Sequence, residues 1–296
     1  MKLLKIVIFA LLIFFAGIGI LFSGVFVAMQ FGLLNVRGSI EARNNSILST
    51  DTFTQPSAVS QGTSSVPDTT APDYSCKTGE TTCPWTETRE WEVVSGGLVK
   101  DIAIIEQVAT ETGVPPRLIA SVVIPEQIRF FTSNREVFKR YFEPLKILGS
   151  LSKFSLGVSG IKQETAEAVE RYASDSNSPF YPGENYAELL AYNTDVTNQS
   201  DELFNRLTDE KNHYYSYLYT AIFIKEILTQ WEKAGYDITD KPEIVATIFN
   251  IGFDGSNPKP NPQVAGTVIT VGGSSYTFGE LSGLFYQSDQ LPALKQ

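Results

Sequence analysis

Histidine occurs once in the chain, as His213, and cysteine twice, as Cys76 and Cys83. That scarcity leaves too few soft ligands for a usual zinc site, so no metal is expected. Ser-His-Asp chemistry would have to run through His213, and no G-x-S-x-G elbow accompanies it. Positive charge is short as well: 23 Lys and Arg stand against 33 Asp and Glu, a formal net charge of −10. Residues 1–75 carry four charges of each sign, so the whole excess of negative charge lies in residues 76–296. A domain this acidic has no general attraction for phosphate backbones, which argues against nucleic acid as a partner. Apolar surface is not short. Of 296 residues 43% are apolar and 12% aromatic, enough for one sizeable domain or two small ones, and wholesale disorder is excluded.

Between Ile6 and Val36 there is no charged side chain, and the run is dominated by Ile, Leu, Phe, Val, Ala and Gly. At about 1.5 Å per residue, roughly 20 residues cross the hydrocarbon core, so this run is long enough for a transmembrane helix. A cleavable signal has an apolar stretch of about 7 to 15 residues before a small-x-small site. Here the best such site, Phe26-Val27-Ala28, puts a bulky side chain at a small position. An uncleaved anchor over residues 1–37 is therefore expected. Lys2 and Lys5 precede the run, while Arg37 and Arg43 follow it with Glu41 between them. The bias favours a cytoplasmic N-terminus, hence a single-pass protein of the cytoplasmic membrane with everything after residue 37 outside.

Residues 38–75 read as a linker. Thirteen Ser or Thr fall in residues 44–75 together with Pro56, Pro67 and Pro72, and no apolar periodicity runs through them. A random coil of that length has an r.m.s. reach of about 30 Å, which would keep the following domain, residues 76–296, near the membrane surface. Cys76 and Cys83 open that domain in C-K-T-G-E-T-T-C. Outside the cytoplasm two thiols so close are expected to form a disulfide, with Gly79 supplying the turn; a reduced, unrelated pair is the alternative.

From residue 97 the pattern is helical. Ile102, Ile105, Val108 and Ala109 share a face, and Gly113 stops the helix. Val114-Pro115-Pro116 opens a second helix whose Leu118, Ile119, Val122, Val123 and Ile124 make an almost all-round apolar surface, the mark of a helix buried inside a domain. Near its expected end stand Pro125, which should bend the axis, and Glu126, walled by Ile124, Ile128 and Phe130. Further helices are expected over 135–148, 163–173, 185–192, 211–234, 241–251 and 277–287. Alternation appears only in residues 266–276, a short β-hairpin turning at Gly272-Gly273. The class is mostly α. Most aromatic residues of 211–234 read as core, although Tyr192, Tyr214, Tyr215 and Tyr217 have the ring faces that stack on sugars. His213 beside them reads as a cap or surface residue.

Three segments are informative together. Ile124-Pro125-Glu126-Gln127 sets a carboxylate late in a buried helix. Gly157-Val158-Ser159-Gly160-Ile161-Lys162-Gln163 has two glycines three apart, which allow a tight turn and close backbone approach before a helix. Ile248-Phe249-Asn250-Ile251-Gly252-Phe253 ends an apolar helix with an amide side chain and a glycine.

Over about residues 97–290 the sequence resembles the lytic transglycosylase domain of the soluble-transglycosylase type, in the lysozyme-like superfamily. That family has a catalytic Glu ending a buried helix, a G-x-x-G-x-x-Q segment and a later A-Y-N-x-G segment. Glu126 corresponds to the first, Gly157, Gly160 and Gln163 to the second, and Phe249, Asn250 and Gly252 to the third. Gln127 stands where the family has Ser, Lys162 where it has Met, and Phe249 where it has Tyr. The spacing of 37 residues between Glu126 and Gln163 is longer than the family's, which implies an inserted helix at about 135–148.

The resemblance implies a lysozyme-like helical domain with a small β-hairpin and a peptidoglycan substrate, cut at the β-1,4 bond between N-acetylmuramic acid and N-acetylglucosamine. It implies Glu126 as the acid, with Gln163 and Asn250 against the sugars and Gln127 in place of the missing serine. A carboxyl in an apolar pocket can stay protonated and serve as an acid. Most glycosidases need a second carboxylate. A lytic transglycosylase uses one, because the substrate's own C6 hydroxyl closes a 1,6-anhydro ring, and no cofactor is needed. Two other readings stand beside this one. A goose-type-lysozyme-like hydrolase would need a second acid, nominally Glu143, Glu164 or Asp254; an inactive glycan-binding scaffold would keep only the groove. The topology has its own test: protease added to intact spheroplasts should release a fragment of the C-terminal domain, and full protection while a known external protein is digested would contradict it.

Overall fold

A computed structural model of the chain describes residues 83–132 and 155–295. The chain divides into two units, Met1–Ser65 and Val66–Gln296, and every described residue belongs to the second. The expected membrane run, the linker, Cys76 and the expected helix at 135–148 lie outside the described residues, as does Glu143. Among the described residues no helix is long and apolar enough to cross a membrane, and no cysteine is free.

The described part is mostly α, as expected. Eight helices run in the order α1 (Arg89–Thr112), α2 (Pro116–Thr132), α3 (Gln163–Ser174), α4 (Asn185–Leu190), α5 (Gln199–Thr208), α6 (Tyr214–Lys233), α7 (Pro242–Ile251) and α8 (Phe278–Gln287). Two antiparallel hairpins accompany them: β1 (Ser155–Leu156) with β2 (Ile161–Lys162), and β3 (Val268–Val271) with β4 (Ser274–Thr277). The second is the expected hairpin, turning at Gly272-Gly273 with both residues at positive φ, the geometry a two-residue hairpin loop requires.

Helix α1 begins eight residues earlier than the expected start at residue 97, running straight through Gly96 and Gly97. Thr88 caps it by accepting a hydrogen bond from the Trp91 amide at 3.2 Å. The glycines are exposed, and Trp91, Val94 and Leu98 fix this first part of the helix to the core, so burial outweighs the poor propensity of the pair. Helix α5 has no counterpart among the helices expected from the sequence. Its cap is Asn198, whose side chain accepts from the Ser200 and Asp201 amides, and Leu203, Phe204 and Leu207 bury its inner face.

Helix α2 is the centre of the domain. Ile119, Ala120, Val122, Val123, Ile124 and Ile128 have no exposed surface, each larger side chain contributing about 1.5–3 kcal/mol by leaving water. Helices α1, α6, α7 and α8 and strand β3 all pack on it. The helix does not end near Glu126, as expected, but continues past Pro125 to Thr132. Helix α6 is the second buried rod, with Tyr217 through Ile224 almost wholly out of solvent.

Two brackets close the domain. Arg117 at the start of α2 is buried and spends its fork on the chain reversal after α8: Nε donates to Tyr286 O at 2.7 Å, Nη2 to Phe285 O and Ser288 O at 2.7 and 2.6 Å, and Nη1 to Gln290 O at 3.0 Å. These carbonyls include those at the C-terminal end of α8, where a cation is also favoured by the helix dipole. The other bracket is at the entrance. Trp85 is fully buried and meets Trp91 edge to face at 4.8 Å, and a Cβ at Gly272 would stand 2.2 Å from Pro84 O. The β3–β4 turn therefore lies directly on the first described residues of the domain.

Arg117→Met should lower the stability of the domain by about 3 kcal/mol, because several buried carbonyls lose a charged donor at once. Arg117→Lys should recover less than half of that, since an ammonium cannot serve the fork geometry. The midpoint of urea unfolding followed by tryptophan fluorescence measures both, and a lysine variant as stable as wild type would refute the bracket.

Candidate active site

Glu126 sits in the buried middle of α2 and is 3% exposed. A carboxylate out of water must be paired or neutral, and one turn further on Arg129 Nη2 donates to Glu126 Oε1. The Gly157–Gly160 turn between β1 and β2 covers the carboxyl from the other side. A Cβ at Gly160, which has φ +64°, would lie 2.2 Å from Glu126 Oε1 and 2.5 Å from Cδ. No residue with a side chain can occupy that position while Glu126 stays where it is. The close backbone approach expected of the two glycines is thus made at Gly160, and the group approached is the candidate acid.

Three contacts hold the turn in place. Gln127 Nε2 donates to Val158 O, so this side chain grips the glycine turn. Ser159 is buried, and its hydroxyl is 3.2 Å from both the carbonyl and the hydroxyl of Ser216 at the start of α6. Gly157 lies against the end of α5 and the same serine: a Cβ there would meet Leu207 O at 2.2 Å and Ser216 Oγ at 2.5 Å. The first two sequence segments therefore form one structure, with a short β1–β2 hairpin where the sequence leads one to expect a tight turn.

The third segment has a different occupation. Asn250 Oδ1 accepts from the amide and hydroxyl of Thr267 at 2.8 and 3.1 Å, so the amide fixes the run into β3. Phe249 is buried and packs on Phe223, ring centroids 5.0 Å apart. Gly252 caps α7 at φ +89°, its amide donating to Ile248 O at 2.8 Å. Gln163 opens α3, and its amide donates to Ser200 Oγ at 2.6 Å and Glu167 Oε1 at 3.2 Å, facing α5.

The tyrosines divide. Tyr217 is core and donates to Asp101 Oδ2 at 2.8 Å, the same oxygen that His213 Nδ1 meets at 2.7 Å. The Asp101 bond raises the His213 pKa against the opposing effect of burial. His213 is thus a half-buried clasp between α1 and α6. Tyr214 donates to Glu111 at 2.6 Å. The Arg206 guanidinium lies over the Tyr192 ring at 4.2 Å and the Tyr215 ring at 4.4 Å, and Tyr192 and Tyr219 both donate to Glu170 Oε1. One face of Tyr192 is therefore covered by an arginine. Of the nominal second acids, Glu164 is exposed and faces Lys162 at 3.6 Å, and Asp254 is exposed on the turn after α7.

Two charged residues were missed by the sequence reading. Arg129 could have been found from its i,i+3 spacing to Glu126 on one helix. Glu226 gave no such signal: it sits at a core position of α6, has no exposed surface, and neither of its carboxyl oxygens has a hydrogen-bond partner. Burial pushes its pKa well above the ordinary carboxylate value, against a smaller opposite effect of Arg171. Among the described residues no group of His, Cys, Asp and Glu is arranged to hold a metal ion. Comparison with protein-family models, with curated proteins and with solved structures gives no match for the chain.

The native state binds the Glu226 proton more tightly than the unfolded chain does, so stability should fall as pH rises above 4.5, the ordinary carboxylate value. Glu226→Leu removes that titration together with two unpartnered oxygens. It should stabilise the domain by about 1–4 kcal/mol, more at pH 8 than at pH 5. Urea unfolding at the two pH values measures the difference, and an equal gain at both, or a loss, would count against a neutral buried acid.

Proposed function

We propose that the domain cleaves peptidoglycan glycan strands as a lytic transglycosylase anchored in the cytoplasmic membrane through residues 6–36, with residues 76–296 outside. One observation carries the reading: Glu126, a single buried carboxyl on the central helix, lies against the backbone of Gly160 in the G-x-x-G turn. That pairing of a late-helix acid with a side-chain-free turn is what the sequence resemblance leads one to look for.

In this reading Glu126 gives its proton to the oxygen between N-acetylmuramic acid and N-acetylglucosamine, and the C1–O bond breaks. Positive charge develops at the anomeric carbon. The C6 hydroxyl of the same muramic residue attacks C1, and the Glu126 carboxylate takes the proton that this hydroxyl releases. The products are a 1,6-anhydro end and a free 4-hydroxyl, and the acid is restored to its starting state. One carboxyl serves both half-reactions, so no second acid is needed, consistent with the exposed positions of Glu164 and Asp254. Asn250 and Phe249 act by holding α7 and the entry to β3, and Gln127 by holding the glycine turn against the acid.

Clearing of purified cell walls by the full chain should fall by about 10² to 10⁴ in Glu126→Gln, which keeps size and hydrogen bonding but has no carboxylic proton to give. Glu164→Gln should clear walls at the wild-type rate. Mass spectrometry of the digest separates anhydro ends, which support the proposal, from reducing ends, which would make the protein a hydrolase. Wild-type clearing by Glu126→Gln, or no glycan product from the wild-type chain, would overturn the reading.

A further inference from the structure

We propose that His213, Asp101 and Tyr217 form a pH-sensitive clasp: while His213 is protonated it fastens the first turn of α6 to α1, and through Ser216 it steadies the glycine turn that covers Glu126. The inference stands on the packing of the domain and does not need the glycan-cleaving reading.

The clasp sits at the end of α6 that carries the turn. His213 occupies the N-cap position, yet its side chain caps none of the helix amides. It reaches across to α1 instead, Nδ1 lying 2.7 Å from Asp101 Oδ2, and the Tyr217 hydroxyl donates to the same oxygen at 2.8 Å. Residues 213 and 217 are one helical turn apart, and the Tyr217 amide donates to His213 O at 3.1 Å to close that turn. A single carboxylate oxygen of α1 therefore brackets the turn that contains Ser216. The glycine turn stands on Ser216: the Ser159 hydroxyl is 3.2 Å from both its carbonyl and its hydroxyl, and a Cβ at Gly157 would lie 2.5 Å from its Oγ. Gly160, three residues on, lies against the Glu126 carboxyl. A looser first turn of α6 thus removes the support beneath the backbone at Glu126.

The charged and titratable groups that face this cluster among the described residues are Lys100 beside Asp101 on α1, Asp209 and Glu210 in the loop before α6, and Tyr217 itself. Carboxyl, ammonium and phenol groups ordinarily titrate outside pH 6 to 9, and imidazole within it. Burial works against the Asp101 charge, but the hydrogen bonds from His213 and Tyr217 outweigh it and hold the carboxyl below its ordinary range. The bond to Asp101 raises the His213 pKa against the effect of burial, with the Asp209 and Glu210 charges adding to the rise. A group whose pKa is raised on folding lends its full stabilisation below its unfolded value, here 6.5, and loses it as pH rises through the folded one. The charge-assisted bond then becomes at best a neutral one, about half as strong. The clasp is closed in mildly acidic surroundings and slack in alkaline ones, so the ambient pH sets how firmly the glycine turn is held.

The test uses the full chain in detergent micelles, free of any histidine tag. Because the chain has one histidine, a single imidazole Cε1–H signal in proton NMR reads the His213 titration directly. Hydrogen exchange at the amides of residues 157–161, divided by the intrinsic rate at each pH, reads how firmly the glycine turn is held. Protection should fall as pH rises from 6.5 to the measured His213 pKa and level off above it, by about tenfold for each unit between the two. His213→Gln, neutral throughout, should show the lower, alkaline level of protection at pH 6 and at pH 9. Asp101→Asn should bring the His213 titration back towards 6.5 and remove most of the pH dependence. Glu226 also has a raised pKa, but it lies thirteen residues, about 20 Å, further along α6 and is untouched by His213→Gln. A fall in protection that is the same in that variant as in the wild type therefore comes from elsewhere and overturns the clasp. If neither variant folds, the wild-type chain decides: a His213 pKa at or below 6.5, or protection that does not change through it, overturns the clasp. Every one of these outcomes leaves the glycan-cleaving reading where the digests put it.

Discussion

A carboxyl group in the middle of a helix packed on many sides has to find its polar partners close at hand, and that requirement at Glu126 organises the candidate site. Helix α2 is the element on which α1, α6, α7, α8 and β3 all pack, so its apolar faces are closed by neighbouring elements. The partner comes from the same helix, through Arg129, and the turn that covers the carboxyl has no side chain at the point of contact. Once Gly160 is fixed there, the rest of the hairpin follows: Gln127 holds Val158, Ser159 holds Ser216, and Gly157 lies on the end of α5. A substitution at any of these positions acts on the acid through backbone placement.

The domain meets other buried polar groups in two opposite ways. Arg117 has its charge inside the core and surrounds it with main-chain carbonyls from the turn after α8, so a group that is costly to bury also satisfies orphan acceptors at a helix end. Arg206 does the same for Leu190 O and Ala191 O while lying between two tyrosine rings. Glu226 receives nothing comparable. Its proton takes the place of a partner, and α6 keeps a latent charge in its interior.

The sequence made the helical class legible, and most helix positions, because apolar periodicity and stop signals agree along the chain: α3, α4, α6, α7 and α8 fall within a few residues of their expected ranges. Helix α5 was hidden because N-Q-S-D-E at its start has the composition of a loop, and only the cap geometry of Asn198 shows why those residues begin a helix. The start of α1 lies earlier than its apolar periodicity from residue 97 indicates, because Trp91 and Leu98, on either side of the paired glycines, are anchored in the core. At the site, the spacing of Gly157 and Gly160 announced a close approach without naming its partner. Gln163, Asn250 and Tyr192 were legible as polar groups near the right segments, but each makes specific bonds within the protein, to Ser200, Thr267 and Glu170. Such long-range pairings leave no periodic trace in a single sequence.

The entrance of the domain ties its first residues to its centre. Trp85 is wholly buried against Trp91, and Gly272 admits the backbone of Pro84 directly onto the β3–β4 turn. Strand β3 in turn packs on α2. A pull arriving along the chain from its N-terminal side is therefore taken up at Pro84 and Trp85 by a body that includes the helix bearing Glu126, with no slack segment between them. A displacement of the chain at Trp85 is thereby passed through β3 to the helix that bears Glu126.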